Sequence, residues 1–129
     1  MKELKTYIAE AFKINKNTKL ESRYKYFPKN KNELRDIIHK LIEAEGKKCN
    51  LNDIDVSEIK DMSFLFYNSR FDGDISEWKV SNVEDMVFMF GDSDFNQDIS
   101  NWDVSNVTEY YEIFYDCPIE EKYKPTKFK

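Results

Sequence analysis

Residues 54–125 repeat with a period of 24. Trp78 and Trp102 are 24 apart, as are Val80 and Val104, and Phe66, Phe90 and Phe114 continue the same spacing. The blocks read IDVSEIKDMSFLFYNSRFDGDISE (54–77), WKVSNVEDMVFMFGDSDFNQDISN (78–101) and WDVSNVTEYYEIFYDCPIEEKYKP (102–125). A fixed period of about 20–29 residues is the signature of a solenoid, in which each coil stacks on the one before. The same feature weighs against catalysis. Stacking asks for one residue type in every coil, and a reaction does not.

Aligning the blocks gives apolar columns: Ile54, Trp78, Trp102; Val56, Val80, Val104; Ile59, Val83, Val107; Met62, Met86, Tyr110. Further columns are Leu65, Met89, Ile113; Phe66, Phe90, Phe114; Phe71, Phe95, Ile119; and Ile75, Ile99, Tyr123. Burying one such side chain is worth about 1.5–3 kcal/mol. A single coil cannot bury its own columns, so the three coils and their caps must form one unit. The β-branched Val-Ser-x-Val stretches predict short strands, paired in parallel between coils. The tighter apolar spacing from Met86 to Phe90 predicts a short helical turn. Ser57, Ser81 and Ser105, with Asp74 and Asp98, recur in register and predict side-chain bonds to the backbone at each corner.

Upstream of the repeat, Leu4, Ile8, Ala11 and Phe12 predict a helix near 2–13, followed by a polar stretch at 15–19. Tyr24, Tyr26 and Phe27 precede Pro28, which favours extended chain. Asn30 is a good N-cap with Glu33 three residues on, and Leu34, Ile37, Ile38, Leu41 and Ile42 form one apolar stripe ended by Gly46. Such a helix suits the open end of a stack, where it covers an otherwise sticky apolar edge. The chain therefore divides into an N-terminal helical cap (1–50), the repeat (51–119) and a charged C-terminal tail (120–129).

Length and composition fit one globular domain of 129 residues. No apolar run approaches the ~18–20 residues of a membrane span, and the first residues lead straight into an amphipathic pattern with no secretory signal. Cys49 and Cys117 belong to no Cys-x-x-Cys pair, as expected of reduced thiols in a cytoplasmic protein. Asn106-Val107-Thr108 matches a glycosylation sequon but also fits its place in the repeat. Residues 1–49 carry 13 Lys and Arg against 7 Asp and Glu, whereas residues 50–129 carry 7 against 18. A basic head and an acidic body either steer charged partners or form solvated surface.

Candidate sites follow by subtracting what stacking demands. His39, the sole histidine, sits beside the helical stripe with no second histidine to share a metal and no paired nucleophile. Asp92-Ser93-Asp94-Phe95-Asn96-Gln97-Asp98 resembles the start of a calcium loop, but Gln97 stands where the sharp turn needs glycine. Repeat corners account for these acids, and no metal or cofactor is expected. Phe64 and Phe88 share one column, and Tyr67 and Tyr115 share another with Gly91 between them. Facing outward, they make an aromatic patch ringed by carboxylates, as in a protein-binding hot spot; facing inward, they fill a groove under the N-terminal segment. The candidate partner-binding residues are Phe64, Tyr67, Phe88, Tyr111 and Tyr115, with Asp92 and Asp94 beside them.

The string FNQDISNWDVSNVT, preceded by VEDMVFMF, resembles the BspA-like leucine-rich repeats of bacterial surface, phage and other mobile-element proteins. Their shared pattern is W-x-V-S-x-V-x-x-M-x-x-M-F followed by F-x-x-D-I-S, and the resemblance covers residues 51–119. It implies a solenoid used for protein binding, adhesion or host interaction, without catalytic residues or cofactor. The segment YKYFPKNKNELRDIIHKLIEAEG resembles the cap that precedes such repeats in short members. With only about three coils, no secretion signal and no wall anchor, the chain reads as a cytoplasmic or mobile-element member and not an adhesin. Tyr110, Tyr111 and Glu112 depart from the pattern in the third coil, as expected of a coil that closes the stack.

The expected fold is α+β, a short right-handed leucine-rich-repeat-type solenoid of about three coils with short parallel strands and an N-terminal helical cap. The expected function is a non-catalytic protein-interaction module. An alternative comes from residues 50–117, where sixteen Asp and Glu face only Lys60, Arg70 and Lys79. Such density suits an inhibitor of host defence or nuclease machinery that mimics nucleic acid and binds a basic protein. Direct nucleic-acid binding is disfavoured by the same charge.

Overall fold

The computed structural model describes residues 23–129. The helix expected near 2–13 and the polar stretch at 15–19 lie outside the described residues. Among the described residues one α-helix forms, α1 (Lys31–Glu45), and two short 3₁₀ turns follow at Glu121–Tyr123 and Thr126–Phe128. The Asn30 side chain accepts the Glu33 N–H at 2.9 Å, and Glu33 Oε1 reaches one residue past the cap to accept the Lys29 N–H in place of the Asn30 N–H of a full capping box. Gly46, at φ 98°, ends the helix and its N–H donates to Ile42 O. Leu34, Ile37, Ile38 and Leu41 are buried and enter the same core as the repeat columns, with Ile42 half-buried beside them.

The α+β class and the strand-built leucine-rich-repeat solenoid are not what the chain forms. No strand or sheet occurs among the described residues; the pairing is confined to isolated parallel bridges, Tyr26 to Ile54, Asp61 to Asp85 and Asp85 to Glu109. The physical reason is that turn bonds consume the chain at short intervals. Each Val-Ser-x-Val stretch closes on itself, with Ile59 N–H bonded to Val56 O, Val83 to Val80 and Val107 to Val104. Asp55 and Asp103 accept the N–H of Ser57 and Ser105 two residues on, which fixes the bend against extension. In the first and third blocks these side-chain bonds reinforce the turn; the second, with Lys79 in that place, makes the same Val83-to-Val80 turn without one.

The helical turn expected from Met86 to Phe90 is also a chain of tight turns. In the first block Leu65, Tyr67 and Ser69 N–H groups bond three residues back, to Met62, Phe64 and Phe66. The intervening N–H groups of Met62, Phe64, Phe66 and Asn68 point along the stack to the carbonyls of Asp85, Val87, Met89 and Gly91. The second block repeats this, with Met86, Phe88, Phe90 and Asp92 bonded to Glu109, Tyr111, Ile113 and Tyr115. One N–H serves the turn and the next serves the neighbouring block. The backbone is satisfied without becoming a strand.

Under this ladder the apolar columns pile up. Phe66, Phe90 and Phe114 stack with centroids 5.6 and 5.7 Å apart, and Trp78 lies over Trp102 at 6.3 Å. The tryptophan N–H groups donate back along the stack, Trp78 to Leu51 O and Trp102 to Ile75 O. Asn82 and Asn106 amides do the same at Ser57 O and Ser81 O. Every column member is buried except Tyr110, Phe114 and Tyr123 in the last block. There the chain folds back: the Lys127 ammonium donates to Val104 O and Val107 O, and the Phe128 ring packs 4.9 Å from Tyr110.

At the other end Tyr26 pairs with the first block, Lys25 N–H donating to Asp53 O and Asp55 N–H to Tyr26 O. The head and body charges meet here. Arg23 pairs with Glu77, Lys25 with Asp53, Lys31 with Asp61 and Lys48 with Asp72. Gly73 permits a close crossing of two chain segments, since a β-carbon there would overlap the Cys49 carbonyl oxygen and stand 2.7 Å from the Phe71 ring. Gly73→Ala is expected to lower unfolding stability by about 2–3 kcal/mol, the cost of forcing an overpacked backbone apart. Urea unfolding measures it, and an unchanged midpoint would contradict the crossing.

The corner carboxylates make the fold acid-sensitive. Ser100 and Ser105 hydroxyls and N–H groups hold Asp98 and Asp103 below the usual carboxylate range, and the Ser76 N–H does so for Asp74. At Asp61 and Asp72 partial burial pulls upward but is outweighed, by Ser63 and Lys31 in one case and by Asn96, Gln97 and Lys48 in the other. A carboxyl lowered in the folded state takes up its proton first in the unfolded chain, whose value is near ~3.9. The stability from these groups is therefore complete above about pH 5 and lost as the pH falls below about 4. The urea midpoint should be flat from neutral pH to about 5 and drop below about 4; a midpoint that rises on acidification would contradict this.

Candidate functional site

The turn ladder imposes one unusual backbone state at two places per block. Phe64, Phe88 and Glu112 have φ of 59°, 52° and 51°, and Asn68, Asp92 and Asp116 have 56°, 52° and 50°. Phe64 is the third residue of the turn closed by Leu65 N–H on Met62 O. Positive φ at that place is the mark of a type II turn, which takes Gly or Asn by preference. Asn and Asp tolerate the left-handed region at the second column, but a bulky aromatic there is a genuine outlier. Phenylalanine in the first column costs about 1–2 kcal/mol of backbone strain.

These left-handed residues turn outward and bring the sequence candidates together. Phe64 and Phe88 stack with centroids 5.3 Å apart and planes 10° from parallel. Tyr67 stands edge-on to both, at 5.4 and 6.0 Å, and Tyr111 and Tyr115 meet Phe88 edge-on at 5.8 and 6.1 Å. Phe88 is thus the half-buried hub of five rings. The outer rings are open to solvent: Phe64 is 44% exposed, Tyr67 43%, Tyr115 50% and Tyr111 70%. Among the described residues nothing covers them as a groove-filling packing would require.

Gly91 makes this crowding possible. A β-carbon there would stand 2.8 Å from the Phe88 ring and 3.2 Å from Tyr67. The repeat places tyrosine above and below Gly91, so the gap between Tyr67 and Tyr115 is occupied by Phe88. Sequence reading noted Gly91 only as an interruption, and the positive φ of Phe64 and Phe88 escaped it. The signal was nonetheless present, because the same column carries a bulky ring where a type II turn prefers glycine.

The two candidate carboxylates part company. Asp92 lies beside Tyr67, and its charge, with a hydrogen bond between them, raises the Tyr67 hydroxyl above the ordinary phenol range. Asp94 instead pairs with Arg70 at 3.1 Å across adjacent blocks, a structural tie. No group of three or more possible metal ligands occurs among the described residues. His39 is exposed on α1. Burial raises both thiols, Cys49 and Cys117, so neither is an activated nucleophile. A cleft of about 420 Å³ lies elsewhere, lined by residues 76–81 with Asn101 and Asp103, and brings together no catalytic pair.

Among the described residues the fold is a stack of tight-turn repeats with an aromatic patch open to solvent. The family model described as "Mycoplasma protein of unknown function, DUF285" matches residues 33–122, which span most of α1, the first two blocks and the third as far as Lys122. The chain belongs to that family. No curated protein and no solved structure matches it. No helix among the described residues is long and apolar enough to cross a membrane.

The strain at Phe64 makes a stability prediction. Phe64→Asn exchanges the ring stack for a residue at home at positive φ, so the two effects nearly cancel and stability should stay within about 1 kcal/mol of the parent. Phe66→Ala, two residues on but inside the stack, should cost about 3–5 kcal/mol. Thermal or urea unfolding of the pair checks this. Equal losses at both sites would mean that Phe64 belongs to the core.

Proposed function

We propose that this chain is a BspA-like repeat protein acting as a non-catalytic protein-interaction module, and that its partner docks on the patch centred on Phe88. The observation that carries the reading is the pair of phenylalanines at left-handed positions. A sequence under pressure only to fold would place glycine or asparagine there. Accepting strain to display two stacked rings is the pattern expected where a surface is kept for use. A half-buried aromatic hub with a ring of exposed tyrosines is also the anatomy of an interface hot spot.

The acidic-mimic alternative draws less support. Asp74, Asp98 and Asp103 are engaged in corner turns, and Asp72 and Asp94 in ties between segments. Much of the acidity that suggested mimicry thus has a structural use.

The test is affinity capture from the source cell with the parent and with Phe64→Asn combined with Phe88→Asn. The reading expects a partner retained by the parent and lost, by about tenfold or more, from the double variant, which stays folded by thermal melting. Recovery of the same partner in the same amount by both proteins would overturn it.

A further inference from the structure

We propose that the aromatic patch takes an arginine-rich basic segment of its protein partner, with guanidinium groups lying on the Phe64, Phe88 and Tyr111 rings. This rests on the reading that the patch binds protein. The first argument is shape. The five rings stand 5.3–6.1 Å from Phe88 or from one another and fill the space between them. A partner meets the exposed faces and edges of Phe64, Tyr67, Tyr111 and Tyr115. A planar cation can lie on such a surface, as guanidinium does on aromatic faces.

The second argument is the distribution of unpaired charge. In the acidic body Asp53, Asp61, Asp72, Glu77 and Asp94 each hold a lysine or arginine, and Asp55, Asp74, Asp98 and Asp103 accept serine N–H groups at corner turns. Asp61, Asp85 and Glu109 form a bridge column three residues before Phe64, Phe88 and Glu112, with Asp61 held by Lys31, and Asp92 and Asp116 lie one residue past Gly91 and Tyr115. Among the described residues no cation forms a salt bridge with Asp85, Asp92, Glu109, Glu112 or Asp116. Asp92 lies against Tyr67 with no described cation paired to it, and four further unpaired acids follow the ring columns along the chain, a charge that complements a cationic segment and repels a phosphate backbone. Arginine fits better than lysine because guanidinium is planar and more weakly hydrated, so it can stack and pair with carboxylate together.

The test uses the full chain and two labelled peptides of equal length and charge, one alternating arginine with glycine and one alternating lysine with glycine. Fluorescence anisotropy is read at an ionic strength of about 0.15 M, where loose surface attraction is screened. The arginine peptide should bind about fivefold more tightly than the lysine peptide, and Phe64→Asn with Phe88→Leu should erase that preference while the protein stays folded by thermal melting. Ring resonances of Phe88 and Tyr111 should shift on addition of the arginine peptide. Equal affinity for the two peptides, a preference that survives in the variant, or no binding would each overturn the inference. If cellular capture depends on the patch while the arginine peptide ignores it, only this inference fails. If capture is indifferent to the patch, the underlying reading fails as well.

Discussion

The structure depends on a single backbone arrangement, the row of N–H groups at Met62, Phe64, Phe66 and Asn68 that bond to the next block, and its copy at Met86, Phe88, Phe90 and Asp92. These bonds set the blocks in register, and register is what lets identical side chains stack. Phe66 over Phe90 over Phe114 follows from it, as does Trp78 over Trp102. The burial of these rings supplies the apolar energy of the fold, while the ladder removes the cost of burying backbone.

The ladder also explains why a surface feature exists at all. To present alternate N–H groups along the stack, the chain must turn every few residues, and the turns need left-handed positions at the Phe64 and Asn68 columns. Residues there point away from the core. The fold therefore supplies outward-facing sites at fixed spacing, and their occupants are free of packing duty. Filling two with phenylalanine and surrounding them with Tyr67, Tyr111 and Tyr115 produces a rigid platform held by backbone bonds rather than by a mobile loop.

Much of this was legible in the sequence, and the omissions have physical causes. The period assigned the buried columns, because burial recurs with the repeat. The cap and stop of α1 were written in Asn30, Glu33 and Gly46. The strands were misread because Val-Ser-x-Val was weighed by valine propensity, while in every block the stretch closes on itself in a turn, reinforced in two of them by the Asp two residues before Ser57 and Ser105. The candidate rings were found by elimination, but their common cluster was not, since Phe88 reaches Tyr111 and Tyr115 across a block boundary. The divergent role of Asp94 was equally hidden. Its partner Arg70 is one block away, and only register reveals the pair.

The central claim is the alternating ladder, and it can be measured through the hydrogen bonds themselves. Scalar couplings across N–H···O=C bonds, read by nuclear magnetic resonance on uniformly labelled protein, connect each donor nitrogen to its acceptor carbonyl carbon. The account predicts couplings from Phe64 to Val87, Phe66 to Met89, Phe88 to Tyr111 and Phe90 to Ile113. Couplings from these amides to any other carbonyls, or fast exchange of these amides with solvent, would contradict it.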